Sequence, residues 1–206
     1  MRPTAAGDAP RAKQKASVLI PAQIAGDIGA KIVSGRLKPG TVLDGEVEAS
    51  GQRNVSRSAY REAVRILRAK GLIQSRTNTG TRVSAIEDWH LLDPDVLGWM
   101  CSHDPSPQLL VDLCELRIMV EPEAAAFAAQ RRSQRQLNDM EDALREMERE
   151  TLETTDGRSA DWQFHRTILA ASQNAFLATL GSSVTAAVDL STFFKQRTRR
   201  LSRDAV

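Results

Sequence analysis

The second half of this 206-residue chain spaces its apolar residues as helices do. From Leu109 to Val120, leucines and valines recur every three or four positions, which places them on one side of a helix. The same spacing returns over residues 137–147 and 164–169. No alternating strand pattern competes after Trp89. The sequence therefore predicts an all-helical bundle for this half.

Prolines and capping residues predict where these helices begin and end. Pro122 is expected early in a new or kinked segment, because proline disturbs a helix interior. Ser133 is expected to open the next helix with a capping box. Ser159 is the expected cap of the following helix. A last helix is predicted from about Asn174 toward Phe194.

The first half predicts three short helices. Pro21 is expected in the first turn of an amphipathic helix that stops near Gly35. A second, shorter helix is predicted over residues 45–50 with Asp44 as its cap. A polar break precedes a stronger helix start at Ser56.

A hairpin is predicted after the third helix. Ser56 caps that helix, which runs to about Ala69, and Gly71 ends it. Residues 72–76 and 81–83 then predict two short strands around a polar tip. The order is helix, helix, helix, hairpin.

The third helix has an arginine-lined side. Arg57, Arg61, Arg65 and Arg68 lie four, four and three positions apart, so they share one face, and the opposite face is apolar. This pattern is typical of a recognition helix in the DNA major groove, where arginine pairs with guanine or phosphate. From the residues alone, a solvated arginine face on an ordinary helix remains an equal alternative.

Charge is distributed unevenly along the chain. Residues 17–84 hold 11 Lys and Arg against 5 Asp and Glu, a net charge of +6. Residues 85–206 hold 13 against 20, a net charge of −7. A basic first half beside an acidic second half indicates that one part meets a polyanion.

The cysteines, the apolar runs and the absence of catalytic motifs in the sequence indicate where the protein acts and which class of protein it belongs to. Cys101 and Cys114 belong to no paired ligand motif, which argues against a disulfide framework or a cysteine zinc site. No apolar run is long enough for a signal peptide core or a membrane span, so we expect a cytoplasmic protein without a membrane partner. No nucleophile motif or phosphate loop supports an enzyme. Residues 1–16 are expected to form a disordered tail.

Four stretches resemble, in family order, the winged helix-turn-helix domain of GntR-family regulators. They are Gly-Arg-Leu-Lys-Pro-Gly at 35–40, Val-Ser-Arg-Ser-Ala-Tyr-Arg-Glu-Ala at 55–63, Lys-Gly-Leu-Ile at 70–73 and Gly-Thr-Arg-Val at 80–83. One departure, Gly-Gln-Arg-Asn at 51–54, stands where the family usually has an apolar residue and glycine, and it bears on base preference.

The resemblance implies how this domain contacts DNA. The positions matching Arg57 and Arg61 contact DNA in the family, Ser56 caps the helix and touches phosphate, and the wing tip approaches the minor groove. Together with the arginine pattern, the predicted DNA-binding residues are Arg53, Ser56, Arg57, Arg61, Arg65, Arg76, Asn78, Thr79 and Gly80.

The second half resembles the all-helical FCD effector domain of the FadR branch of that family. The resemblance rests on residues 115–129, which begin Glu-Leu-Arg, and on 161–165 and 170–174. Residues 89–99 resemble the linker of galactonate-operon-type regulators in the same branch. The implied fold is mainly α, a winged helix-turn-helix plus an FCD-type bundle. That bundle is expected to be incomplete, because the C-terminal helices of the family are missing from the sequence.

Arg117 is the candidate effector-binding residue. It lies on a mainly apolar helix, where an unpaired charge is costly to bury, so it needs an anion. In the family the matching arginine meets a carboxylate effector. An internal ion pair with Glu115, Glu121 or Asp161 is the equal alternative.

Asp161 and His165 are candidate metal ligands. Four positions apart on one helix, they could share a divalent ion such as Zn or Ni, as the family match implies. The alternative is an Asp favoured by the helix dipole and a His packed beside Phe164. Histidines from later helices join this pair in the family, and neither His90 nor His103 matches them. We therefore expect an incomplete site with weak metal and effector binding.

The sequence as a whole predicts a transcriptional regulator that binds double-stranded operator DNA as a homodimer. It is expected to be a repressor that responds to a small carboxylate such as a sugar acid. A helical dimerisation or adaptor protein without specific DNA binding is the alternative. The predicted domains are a tail at 1–16, the winged helix-turn-helix at 17–84, a linker and helix at 85–105, and the helical effector-binding and dimerisation domain at 106–206.

Overall fold

The computed structural model describes residues 9–76, 80–102, 105–152 and 154–191, with the backbone alone for residues 9–19 and Arg76. These residues form two compact units that divide between Trp99 and Met100. No helix in the described ranges is both long enough and apolar enough to cross a bilayer.

The first unit contains three helices, a hairpin and the start of a fourth helix. In chain order these are α1 (Ala9–Val33), α2 (Glu46–Gln52), α3 (Arg57–Ala69), β1 (Ile73–Arg76), β2 (Gly80–Val83), a 3-10 turn (Ile86–Asp88) and α4 (Pro94–Ser102).

The core of this unit lies between α1 and α3. Ile28 and Ile32 on α1 and Leu67 on α3 are almost completely buried. Burying an aliphatic side chain of this size contributes about 1.5–3 kcal/mol, so this contact is the main support of α3. The predicted apolar face of α1 is therefore confirmed.

The start of α1 differs from the prediction. Pro21 lies inside the helix, which begins at Ala9, so the first-turn position predicted for Pro21 was wrong. The expected tail is helical from Ala9 onward, and residues 1–8 lie outside the described residues. The physical reason is that alanine, lysine, arginine and glutamine fill residues 11–16, and these are strong helix formers.

The limits of α3 agree with the prediction. The Ser56 hydroxyl accepts a hydrogen bond from the backbone N–H of Ala59 at 3.1 Å, which caps the helix. Gly71 follows the helix with φ +74°, and a Cβ there would lie 2.0 Å from the carbonyl oxygen of Asp88. Only glycine fits this turn without strain.

The cap predicted for α2 was wrong. Gly45, not Asp44, is the N-cap residue, and no side chain bonds to that helix end. Glu46 and Glu48 lie in the first turn instead, where their charges favour the positive end of the helix dipole.

The predicted hairpin is confirmed. β1 and β2 pair antiparallel, with Ile73 opposite Val83 and Arg76 opposite Gly80. Val42 adds an isolated bridge to Arg82. The first unit thus carries a helix-turn-helix, α2 and α3, followed by a small β wing.

The second unit is helical throughout its described residues. It contains α5 (Pro107–Arg131), α6 (Gln134–Arg149), α7 (Thr155–Ala171), α8 (Ala175–Thr179) and helical residues 181–191. α7 packs against both α5 and α6. Ala124 of α5, Leu169 of α7 and Val184 form a buried cluster. This arrangement places the inner faces of α5 and α7 side by side.

Helix limits in the second unit confirm some predictions and correct others. Ser133 forms the predicted capping box with Gln136. Pro122 lies inside α5, so no new helix begins there. The N-cap of α7 is Thr154, not Ser159, because the Thr154 hydroxyl reaches the N–H of Gly157 at 3.0 Å.

The last predicted helix is divided in two. The helix begins near Asn174 as expected, with Asn174 as its N-cap, but it ends at Thr179 and a new helical segment starts at residue 181. Phe194 lies outside the described residues.

Candidate DNA interface and effector site

The arginine-lined side of α3 is exposed, and its other side is buried. Tyr60, Ala63 and Leu67 face the core. The exposed arginines are Arg57, Arg61, Arg65 and Arg68. The helix therefore presents a row of guanidinium groups to solvent, as its spacing predicts.

Two of these guanidinium groups are held by neighbouring carboxylates. Arg61 pairs with Glu46 of α2, its Nη2 lying 2.8 Å from Oε2 and its Nε within hydrogen-bond distance of both carboxylate oxygens. The hydrogen bond from Arg61 lowers the pKa of Glu46. Arg65 pairs with Glu62 at 3.0 Å. Both pairs are exposed, so a phosphate or guanine could replace the carboxylate at little cost.

Arg68 and Arg57 have different surroundings. The Arg68 guanidinium donates to the Ser75 hydroxyl of β1, which is 3.0 Å from the Thr81 hydroxyl of β2. This chain of contacts connects the end of α3 to both strands of the wing. Arg57 is exposed and, within the described part of the chain, makes no ion pair. It is the arginine most available to an incoming anion.

The other predicted DNA-binding residues lie around this face. Arg53 stacks on the ring of buried Tyr60, with its guanidinium carbon 5.7 Å from the ring centre. Arg76 ends β1, and its side chain is not described. Gly80 opens β2 with φ +79°, as a tight wing turn requires. Asn78 and Thr79 lie outside the described residues.

A charged cluster in the second unit contains Arg117 and His165. The Nε of Arg117 is 2.8 Å from Oε1 of Glu121, one turn further along α5. His165 of α7 is 3.0 Å from Glu121 through Nδ1 and 3.3 Å from Asp161 through Nε2. Of the three carboxylates that the sequence left open as partners of Arg117, the structure selects Glu121.

Hydrogen bonds keep His165 protonated. Burial alone would lower the pKa of the imidazole, but its hydrogen bonds to Asp161 and Glu121 outweigh burial and raise the pKa to about 9. Both ring nitrogens then carry protons at neutral pH. Nη2 of Arg117 lies 3.0 Å from Nε2 of His165, so the guanidinium and the imidazole are in direct contact beside the two carboxylates. An anion that binds here can accept hydrogen bonds from both side chains.

A cavity of about 490 Å³ opens beside this cluster. Its walls are mainly apolar, and its charged groups come from the cluster. The lining residues are Cys114, Arg117, Ile118, Glu121, Pro122, Ala125, His165 and Ile168. An apolar cavity with a few convergent charged groups is typical of a small-molecule site.

Asp161 and His165 are not joined by a full set of metal ligands among the described residues. Within the described ranges, no group of three or more His, Cys, Asp and Glu side chains could hold a metal ion. In this structure Asp161 and His165 form an ion pair with each other.

Two family models match separate parts of the chain. The family model described as "Bacterial regulatory proteins, gntR family" matches residues 21–83, and the FCD domain model matches residues 112–206. The chain is 34% identical over 157 residues to the galactonate operon transcriptional repressor of Escherichia coli (strain K12), covering 76% of this chain and 69% of that protein. It is also 34% identical over 153 residues to the HTH-type transcriptional regulator LutR of Bacillus subtilis (strain 168), covering 74% and 68%.

The chain belongs to the GntR family. A solved structure of a GntR protein from Streptococcus agalactiae is 26% identical, covers 87% of this chain and 86% of its own, and superposes with a TM-score of 0.41. This GntR-family protein is a DNA-binding transcriptional regulator with an FCD domain, and it is not an enzyme. The predicted family and the mainly α fold class are confirmed.

Two partners in this GntR regulator were not singled out by the sequence. Glu46 pairs with Arg61 from fifteen positions away, and no local pattern indicates such a contact. Glu121 was one of three open partners for Arg117, although its i,i+4 spacing on one helix is a usable signal.

Proposed function

We propose that this regulator represses transcription by placing α3 in the major groove of operator DNA. The exposed arginine row on a capped helix, supported from behind by the α1 core, carries the proposal. Arg57 and Arg61 would contact bases or phosphates, Arg65 and Arg53 the backbone, and Ser56 a phosphate at the helix start. Arg76 and residues 78–80 would approach the minor groove.

We propose that residues 17–84 provide DNA binding, residues 85–105 a linker and helix, and residues 106–206 effector binding and dimerisation. Two half-sites about one DNA turn apart require a two-fold protein, so the active species would be a homodimer. Sedimentation of the full chain tests this, and a monomer alone at micromolar concentration would contradict it. Its place of action would be the bacterial cytoplasm, where operator DNA lies.

The effector would be a small carboxylate. Its carboxylate would replace Glu121 on Arg117 and would also accept from His165, whose Nε2 lies 3.0 Å from Nη2 of Arg117. The apolar cavity beside the cluster leaves room for the remainder of the ligand. A sugar acid such as galactonate is the first candidate, because a relative is named a galactonate operon repressor.

Selection of binding sequences from random duplex DNA, followed by gel-shift titration, tests DNA recognition. Arg61→Ala is expected to lower the ratio of operator affinity to random-DNA affinity. The corresponding loss of binding free-energy preference is about 1–3 kcal/mol, because a guanine contact is removed. Arg135→Ala, which removes an exposed arginine from α6, is the matched control. An unchanged ratio in Arg61→Ala, or no sequence selected by the wild type, would contradict the proposal.

A further inference from the structure

Lys70 is a buried lysine directly after α3. Its side chain is 11% exposed, and its Nζ lies 2.7 Å from Oδ1 of Asp93 and 2.7 Å from Oδ2 of Asp95. Burial would lower the pKa of Lys70, but the two carboxylates outweigh burial and raise it. The recognition helix thus ends at a cation whose partners come from 23 and 25 positions further along the chain.

Asp93 has two roles at this point. The oxygen that binds Lys70 also accepts hydrogen bonds from the backbone N–H groups of Asp95 and Val96, at 2.9 and 3.2 Å. One carboxylate therefore caps α4 and holds the end of α3. The two helix ends cannot separate without exposing the cation or uncapping α4.

Further contacts fix the same segment to the first unit. The N–H of His90 donates to the carbonyl of Lys70 at 3.0 Å. The Lys70 ammonium lies 5.8 Å from the centre of the Trp99 ring, and that ring covers Gly29 of α1 so closely that a Cβ there would lie 2.3 Å away. The segment from Asp88 to Trp99 is thus attached to α1 and α3 at several points.

We propose that Lys70 is a positioning residue that fixes residues 84–99 on the DNA-binding unit and so sets the half-site spacing that the dimer accepts. This inference rests on the proposed function, binding of a two-fold operator by a homodimer. The residues matched by the gntR model end at Val83, and nothing in that match includes Asp93, Asp95 or Trp99.

The expected effect follows from the length of the segment. If the sixteen residues 84–99 were released, a flexible chain of that length would have an end-to-end span of about 20–24 Å. One base pair occupies about 3.4 Å of DNA, so a released segment would tolerate differences of several base pairs between half-sites. A fixed segment would narrow the range of accepted spacings, because each added base pair also rotates the second half-site about the DNA axis.

The test uses the full chain and symmetric operators whose half-sites are separated by increasing numbers of base pairs. Lys70→Met removes the charge and keeps most of the apolar stem. Lys31→Met, which removes a lysine from the exposed side of α1, is the matched control, and Lys70→Arg is the conservative variant. Affinity for an isolated half-site and amide hydrogen exchange in α4 are measured on each protein. The double variant Lys70→Met with Trp99→Ala removes both attachments.

The wild type is expected to prefer one spacing by about tenfold over spacings two base pairs away, or about 1.4 kcal/mol. In Lys70→Met this preference should fall below about threefold, with faster exchange in α4 and half-site affinity within about twofold of wild type. Lys31→Met and Lys70→Arg should keep the preference.

Three results would overturn the inference. One is an unchanged spacing preference both in Lys70→Met and in the double variant Lys70→Met with Trp99→Ala. Another is a loss of half-site affinity equal to the loss at the full operator, which would make Lys70 a support of the fold alone. The third is a wild type with no spacing preference although it binds half-sites. A wild type that binds no half-site would refute the proposed function itself and this inference with it.

Discussion

The stability that His165 contributes is expected to disappear as the pH rises through about 9. In the unfolded chain the imidazole has its ordinary pKa of 6.5, and in the folded chain the pKa is about 9. The folded state therefore binds this proton more tightly. The contribution is complete below about pH 6.5 and is lost as the pH passes the folded value.

The magnitude follows from the size of the shift. Each pKa unit corresponds to about 1.4 kcal/mol, so the change from 6.5 to about 9 corresponds to about 3 kcal/mol. The His165 side chain is only 18% exposed, so solvent screening removes little of this value. About 3 kcal/mol is a large part of the stability of a domain of this size.

Urea unfolding at a series of pH values between about 6 and 10 measures the effect. His165→Gln cannot be protonated, so its stability should lack this dependence on pH. The difference in unfolding free energy between wild type and His165→Gln should shrink by about 3 kcal/mol across the series. His90→Gln, an exposed histidine of the first unit, is the control and should follow the wild type.

Parallel pH profiles for wild type and His165→Gln would refute the argument. Such a result would mean that the hydrogen bonds to Asp161 and Glu121 do not outweigh the burial of the imidazole.

Three further predictions concern the effector site and the turn after α3. Glu121→Gln is expected to raise the affinity for D-galactonate several-fold in calorimetry, because it removes the internal carboxylate that competes for Arg117. Glu115→Gln, on an exposed part of α5, is the control, and equal affinities of the two variants would contradict the competition. Gly71→Ala is expected to lower the free energy of unfolding by about 1–3 kcal/mol in thermal unfolding, because φ is positive there and the Asp88 carbonyl leaves no room for a Cβ. Gly45 has open space around it, so Gly45→Ala should leave the stability nearly unchanged, and an equal loss in that variant would refute the explanation. Zinc or nickel titration is expected to show no submicromolar binding, since Asp161 and His165 supply two ligands where tight sites use three or four. Submicromolar binding that is lost in His165→Ala would contradict this expectation.

Local signals in the sequence determined most of the fold. The helical spacing of apolar residues, the caps at Ser56 and Ser133 and the glycine after α3 each act within a few positions, and each is present in the structure. One error arose where two local signals competed. Thr154 is a cap as good as Ser159, and Gly157 can lie close to the backbone of Thr151, where a side chain could not.

The partners of the charged residues were decided by the tertiary structure. The spacing of α3 predicted its arginine row, but only the packing of the unit brings Glu46 to Arg61. The sequence left Arg117 with three partners, and the meeting of α5 with α7 gives it Glu121 and His165. Lys70 shows no signal in its own neighbourhood, since its carboxylates follow 23 and 25 positions later. Caps and periodicity depend on neighbours along the chain, whereas the choice of an ion-pair partner depends on which helices pack together.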